Sequence, residues 1–217
     1  MKTLTRLIAV LMLVALPLSI LPIGALSVSA WTTPKASELK TDEVREVRWE
    51  GELDLDVLKQ VRNDIKYATA KDSKIKVLKV RLLSHGGSAI ASLAIAYMVR
   101  KASDAGLVVE IHAEAVCASG CTFVLASGTP GRRYITKSTL FLVHPLQANG
   151  SCISYVEKPT TQEEKIYNTL LLLGRDAYAK YTKRPAAEVE DWLSCGQERA
   201  GGGELAVRLG MADAVED

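Results

Sequence analysis

Residues 75–102 read I-K-V-L-K-V-R-L-L-S-H-G-G-S-A-I-A-S-L-A-I-A-Y-M-V-R-K-A. Ile75 to Leu83 is rich in Leu and β-branched residues and alternates with period two, which predicts a strand. Ser84-His85-Gly86-Gly87 then predicts a sharp turn. From Ser88 to Ala102, Ile90, Leu93, Ala94, Tyr97 and Met98 recur on one helical face. A strand running through small residues straight into a helix is half of a βαβ unit, so the stretch predicts a parallel sheet.

The same alternation extends both ways. On the N-terminal side, Val44 to Leu53 reads as a first strand, and Asp54 or Asp56 can cap a helix carrying Leu58, Val61, Ile65 and Ala68. On the C-terminal side, Leu107 to Val116 predicts a strand and Cys117-Ala118-Ser119-Gly120-Cys121 a small-residue turn. Thr122 to Ser127 reads as a buried helix, and Thr139 to Val143 as a strand stopped at His144-Pro145. Glu163 to Tyr181 predicts a long helix, Ala186 to Leu193 a short one behind Pro185, and Glu204 to Leu209 a last turn closed by Gly210. The expected class is α/β, with a mostly parallel sheet and flanking helices.

Composition narrows the function. The chain has 217 residues, 48% hydrophobic and 24% charged, which excludes a largely disordered protein. Lys2 and Arg6 are the only charges in residues 1–30, and beyond them 25 basic residues balance 25 acidic ones. No basic excess is left for nucleic acid, so no nucleic-acid partner is expected. Leu7 to Leu26 is apolar except for Pro17, Ser19, Pro22 and Gly24, and Val28-Ser29-Ala30 follows with small residues. That layout predicts a signal peptide over 1–30, or a membrane anchor through 7–26 if it is not cleaved. A polar leader over 31–43 and one domain over 44–217 complete the expected organisation. The mature chain is then exported and periplasmic, or tethered to the inner membrane, in a compartment where disulfides form.

Three segments follow strands and can meet at one sheet edge: 84–88, 117–121 and 144–145. Ser119 is a candidate nucleophile, on a tight turn whose following helix offers N–H groups to an anion. The N–H groups of Gly87 and Gly120 are candidates for an oxyanion hole. His144 is the candidate base and His85 a second one, whereas His112 lies inside a strand and reads as structural. No Lys-Ser/Thr follows the glycines, so a phosphate loop is not expected. No metal site and no cofactor is expected.

L-S-H-G-G-S-A-I-A-S, V-C-A-S-G-C-T-F-V-L-A-S-G with Arg132-Arg133 close behind, L-F-L-V-H-P, and E-L-A-V-R-L-G-M-A-D-A-V occur in that order. Together they resemble the Clp protease family of the crotonase-like superfamily, and more narrowly the small exported Clp-protease-like proteins of bacteria. The resemblance covers roughly residues 44–217. It implies a fold of repeated ββα units in a spiral, and a serine peptidase acting through an acyl-enzyme. Ser119 falls on the family's nucleophile, His144 on its base, and Gly87 and Gly120 on its oxyanion donors. The Ser-to-His separation of 25 residues is also the family's. The resemblance further implies a homo-oligomer and a peptide or protein substrate.

Two departures accompany it. His85 stands where the family has Pro, and its third catalytic residue aligns nearer Trp192, leaving Asp191 one residue off. One residue on a helix is about 100° of rotation. Glu188 and Asp176 are fallbacks. The four cysteines allow three pairings. Cys152–Cys195 is the favoured one, since it would clip the loop after His144 to the acid-bearing segment. Cys117 and Cys121 flank Ser119 at a spacing that permits a bridge. Three functions stay open: a Ser–His hydrolase needing no ATP, an inactive member of the fold that binds a peptide or protein partner, and a Ser–Lys hydrolase using Lys137. The Leu170–Leu173 run serves either a subunit interface or the inside of one subunit.

Overall fold

The computed structural model describes residues 40–217, so the expected targeting segment 1–30 and the leader through residue 39 lie outside the described residues. Strand β1 (Val44–Leu53) runs parallel to β2 (Val77–Gly87), joined by helix α1 (Leu55–Ala68). Asp54 takes the cap of α1, its carboxylate accepting the N–H groups of Asp56 and Val57. Helix α2 (Ala89–Asp104) is capped by Ser88 and leads to β3 (Val108–Ala118), parallel to β2. These crossovers are the βαβ units that the hydrophobic periods predict.

The junction at 84–87 is a correction. It is not a turn: β2 continues to Gly87, with Glu52 opposite Gly86 and Leu53 opposite Gly87. The glycines (φ +99° and +149°) serve close approach instead. A Cβ on Gly87 would lie 2.8 Å from the Leu53 nitrogen and oxygen, so only glycine lets β1 and β2 run together this far.

Strand β3 changes neighbours partway. Ile111–Ala113 pair with β4 (Arg133–Thr136), and Val116–Ala118 pair with β5 (Leu140–Val143), both parallel. Ala115, at φ +56°, marks the break. Beyond β4 lies β9 (Ala214–Glu216), parallel, and β5 takes β8 (Arg199–Gly201) antiparallel. A small hairpin of β6 (Gln147–Ala148) and β7 (Ser151–Cys152) sits apart. Its turn, Asn149-Gly150, has positive φ at both residues, as the two-residue hairpin signal Asn-Gly requires.

Helices α3 (Gly120–Ser127), α4 (Gln162–Thr182), α5 (Ala186–Trp192) and α6 (Gly203–Arg208) complete the layers. The core between sheet and helices includes Trp49, Leu78, Leu82, Ile95, Ile111, Leu125, Ile135 and Phe141, all without exposed surface. Arg133 is buried there with its charge paired: it meets Asp213 and donates to the carbonyls of Ala126, Tyr181 and Gly210. That one guanidinium ties α3, α4 and the closing segment to β4.

Candidate active site

Ser119 is the single residue between β3 and α3. The expected five-residue turn shrinks to this one hinge, because Cys117 and Ala118 stay in the strand while Gly120 and Cys121 already belong to the helix. Its backbone is left-handed, φ +55° and ψ −126°, a conformation that is costly for any residue with a Cβ. Several contacts hold it there. Its N–H donates to the Leu142 carbonyl at 2.8 Å, and its own carbonyl accepts from the Thr122 N–H at 3.0 Å and the Thr122 hydroxyl at 2.6 Å. The Thr122 proton is thereby used, so the Tyr178 hydroxyl donates to Thr122 Oγ1. Burial pushes the Tyr178 phenol well above its ordinary pKa, which keeps that proton in place.

The glycines around Ser119 are there for space. A Cβ on Gly86 would fall 2.6 Å from the Ser119 Cβ and 2.9 Å from the Gly120 nitrogen. A Cβ on Gly120 would collide with the Ser92 hydroxyl of α2. Gly86 is thus the residue packed on the serine turn. Gly87, one residue on, faces the space in front of it. The Gly120 N–H lies in the first turn of α3, where no intrahelical acceptor exists.

Ser119, Gly120, Gly87, His85 and His144 line one cavity of about 310 Å³. Its remaining wall is mainly apolar and includes Leu93, Phe123, Leu146, Leu170, Leu171 and Tyr178. No hydrogen bond joins Ser119 to His144 among the described residues; the two share the cavity wall. Catalytic contacts of this kind often tighten only when substrate is bound. The His144 Nδ1 stands 2.6 Å from the Pro145 carbonyl. A carbonyl can only accept, so Nδ1 carries a proton, and Nε2 is the ring nitrogen left to act as a base.

The acid expected behind His144 is elsewhere. Asp191 is exposed on α5 and holds Arg199 at 2.7 Å; it is not part of the cavity wall. Its neighbour Trp192 is buried in the core, so the helix rotation turns Asp191 outward. The fallbacks are also engaged: Glu188 lies 3.6 Å from Arg184, and Asp176 lies 2.8 Å from Arg175. Lys137 is exposed and lies outside the cavity wall. His112 also lies outside the cavity wall, between Glu110 at 2.9 Å and Glu216 at 2.7 Å.

Both cysteine pairs that touch this region are bridged: Cys117–Cys121 across Ser119, and Cys152–Cys195 between the β6–β7 hairpin and the segment after α5. The leucine run divides its roles. Leu170 and Leu171 line the cavity, whereas Leu172 and Leu173 are 37% and 53% exposed. Phe123 and Gly174 also lie in the wall and were not anticipated. A glycine inside a long helix was the available signal, since a Cβ on Gly174 would press to 3.2 Å from Phe123.

No curated protein matches the sequence. The family model described as Clp protease matches residues 36–217, and so spans every element of the sheet and each residue that lines the cavity. With a mostly parallel α/β fold beneath that match, the chain belongs to the Clp protease family.

Proposed function

We propose that the chain is an exported serine peptidase that works through an acyl-enzyme on Ser119, without ATP. The observation that carries this is the left-handed Ser119 hinge opening onto the same cavity as His144, Gly87 and Gly120. His144 Nε2 takes the hydroxyl proton as Ser119 Oγ bonds to the substrate carbonyl carbon. The resulting oxyanion turns toward the N–H groups of Gly87 and Gly120. When the C–N bond breaks, His144 returns the proton to the leaving amine, and water then releases the acid by the same steps in reverse. The apolar wall suits a large apolar side chain on the acyl side of the scissile bond.

The Pro145 carbonyl stands where a Ser–His–Asp enzyme has its carboxylate. It fixes the tautomer but offers the imidazolium no full negative charge, so turnover is slow for this class. The two disulfides support an oxidising compartment, and so export. The exposed Ile166 and Leu173, seven residues apart on α4, support assembly with further copies.

One observation favours a second reading, a binding protein without catalysis: the three candidate acids Asp176, Glu188 and Asp191 are each paired with an arginine instead. A fluorophosphonate probe on the purified, oxidised protein separates the two. Adduct at Ser119, lost in Ser119→Ala and His144→Ala, is the expected result. A folded protein that takes no adduct sinks the peptidase reading.

A further inference from the structure

Ser119 sits between two half-cystines. Cys117 is in the last two residues of β3, Cys121 is the second residue of α3, and neither has any exposed surface. Their Cα atoms lie 5.2 Å apart. The residue they enclose cannot be replaced by the glycine that its left-handed backbone would prefer, because its side chain is the nucleophile. The hydrogen bonds to Leu142 and Thr122 hold Ser119 itself, whereas these sulfurs bridge the strand end to the helix start directly. The second disulfide makes the contrast. Cys152–Cys195 spans 43 residues between exposed segments, and only the first one brackets the reacting atom.

We propose that the Cys117–Cys121 disulfide is a positioning device for the nucleophile. It closes a ring around Ser119 that keeps the hinge left-handed, with Oγ and the Gly120 N–H both aimed into the cavity. The proposal rests on the peptidase reading for its kinetic consequence, though not for its structural one. Full burial shields the bridge from thiols in the folded protein, so it acts as a lasting staple rather than a fast switch.

The test compares the full-length protein with Cys117→Ala/Cys121→Ala and Cys152→Ala/Cys195→Ala. Fluorophosphonate labelling of Ser119 and amide hydrogen exchange over residues 115–124 are followed in each. Removing the inner pair should slow maximal labelling at least tenfold, with the half-saturating probe concentration unchanged. Exchange should rise over 115–124 alone. Removing the outer pair should leave both at the wild-type level.

A second arm covers the case in which the inner-pair variant does not fold. On the Cys152→Ala/Cys195→Ala background, dithiothreitol in mild denaturant, which opens the buried bridge to it, converts Cys117 and Cys121 to thiols while its own two thiols close to a cyclic disulfide, and the denaturant is removed before each readout. Labelling and protection should fall together, and return on reoxidation. Wild-type labelling and wild-type exchange with the inner bridge open would overturn the proposal. If the wild type takes no adduct, the peptidase reading fails, and local exchange over 115–124 alone upholds or overturns the staple.

Discussion

The two ends of the site are built differently. The end that holds the proposed nucleophile is locked: Ser119 lies between a buried strand and a buried helix, bridged by Cys117–Cys121 and packed by Gly86. The acid end is open: Asp191 is exposed, and its carboxylate faces Arg199 rather than His144. Between them His144 takes its orientation from the neighbouring Pro145 carbonyl. The proposed nucleophile is therefore held in place although no carboxylate stands behind the proposed base. Position and electrostatics are separate requirements of the proposed chemistry, and the geometry serves the first more completely than the second.

The sharpest way to break that contrast is at the locked end. Ser119→Ala or His144→Ala should lower hydrolysis by roughly 10³-fold or more, read as single-turnover rates with intact circular dichroism. Gly120→Ala comes next. Its Cβ has no room beside the buried Ser92 hydroxyl, which has no hydrogen-bond partner among the described residues. Overpacking of this kind costs about 1–3 kcal/mol. Labelling should fall by roughly 10²-fold, since such a cost moves the Gly120 N–H. The companion change Ser92→Gly should restore part of it. A Gly120→Ala protein that labels normally would mean that the end is not locked.

A smaller effect tests the far end of β3. Burial works against the His112 charge, but the bonds to Glu110 and Glu216 outweigh it and raise the imidazole above its ordinary 6.5. A raised folded pKa gives stability that is full below the unfolded value and lost as pH rises through the folded one. Glu110 goes the other way. His112 is the leading cause of its lowered pKa, so its share is present above 4.5 and lost as pH falls through the lowered value. The unfolding midpoint should therefore be higher at pH 6 than at pH 9, and His112→Gln should shrink that gap. Ser119 labelling of the folded fraction should not follow it.

The smallest effect belongs to the open end. Asp191→Ala should change labelling less than about threefold, and stability by about 0.2–1 kcal/mol for an exposed ion pair. In a Ser–His–Asp hydrolase, losing the acid's role at the histidine costs roughly 10⁴-fold. A loss of that size here would mean that α5 rotates Asp191 to His144 when substrate binds.

The sequence was legible where the structure is local. Period-two and helical spacings marked β2, α1 and α2, because each buries one face and its apolar residues must recur with its geometry, whereas β3 and α3 are buried on most sides and read as continuous small or apolar runs. Ser119, His144, Gly87 and Gly120 were legible through their order along the chain, and the tertiary structure places all four on one cavity wall. The extension of β2 through Gly87 was not legible, because Gly-Gly signals a turn as readily as a close approach. The short strands β4, β8 and β9 were missed as well. Each is only 3 or 4 residues long and exists because a neighbouring strand offers its edge.

By itself the sequence determined the α/β class, the order of the candidate residues and the four cysteines available to pair. Only the tertiary structure decided which cysteines meet, since pairing depends on Cα separations that no spacing rule supplies. It also decided the fate of Asp191. Burial of Trp192 beside it sets the rotation of α5, and a one-residue offset on a helix separates a carboxylate behind the histidine from one that holds an arginine in solvent.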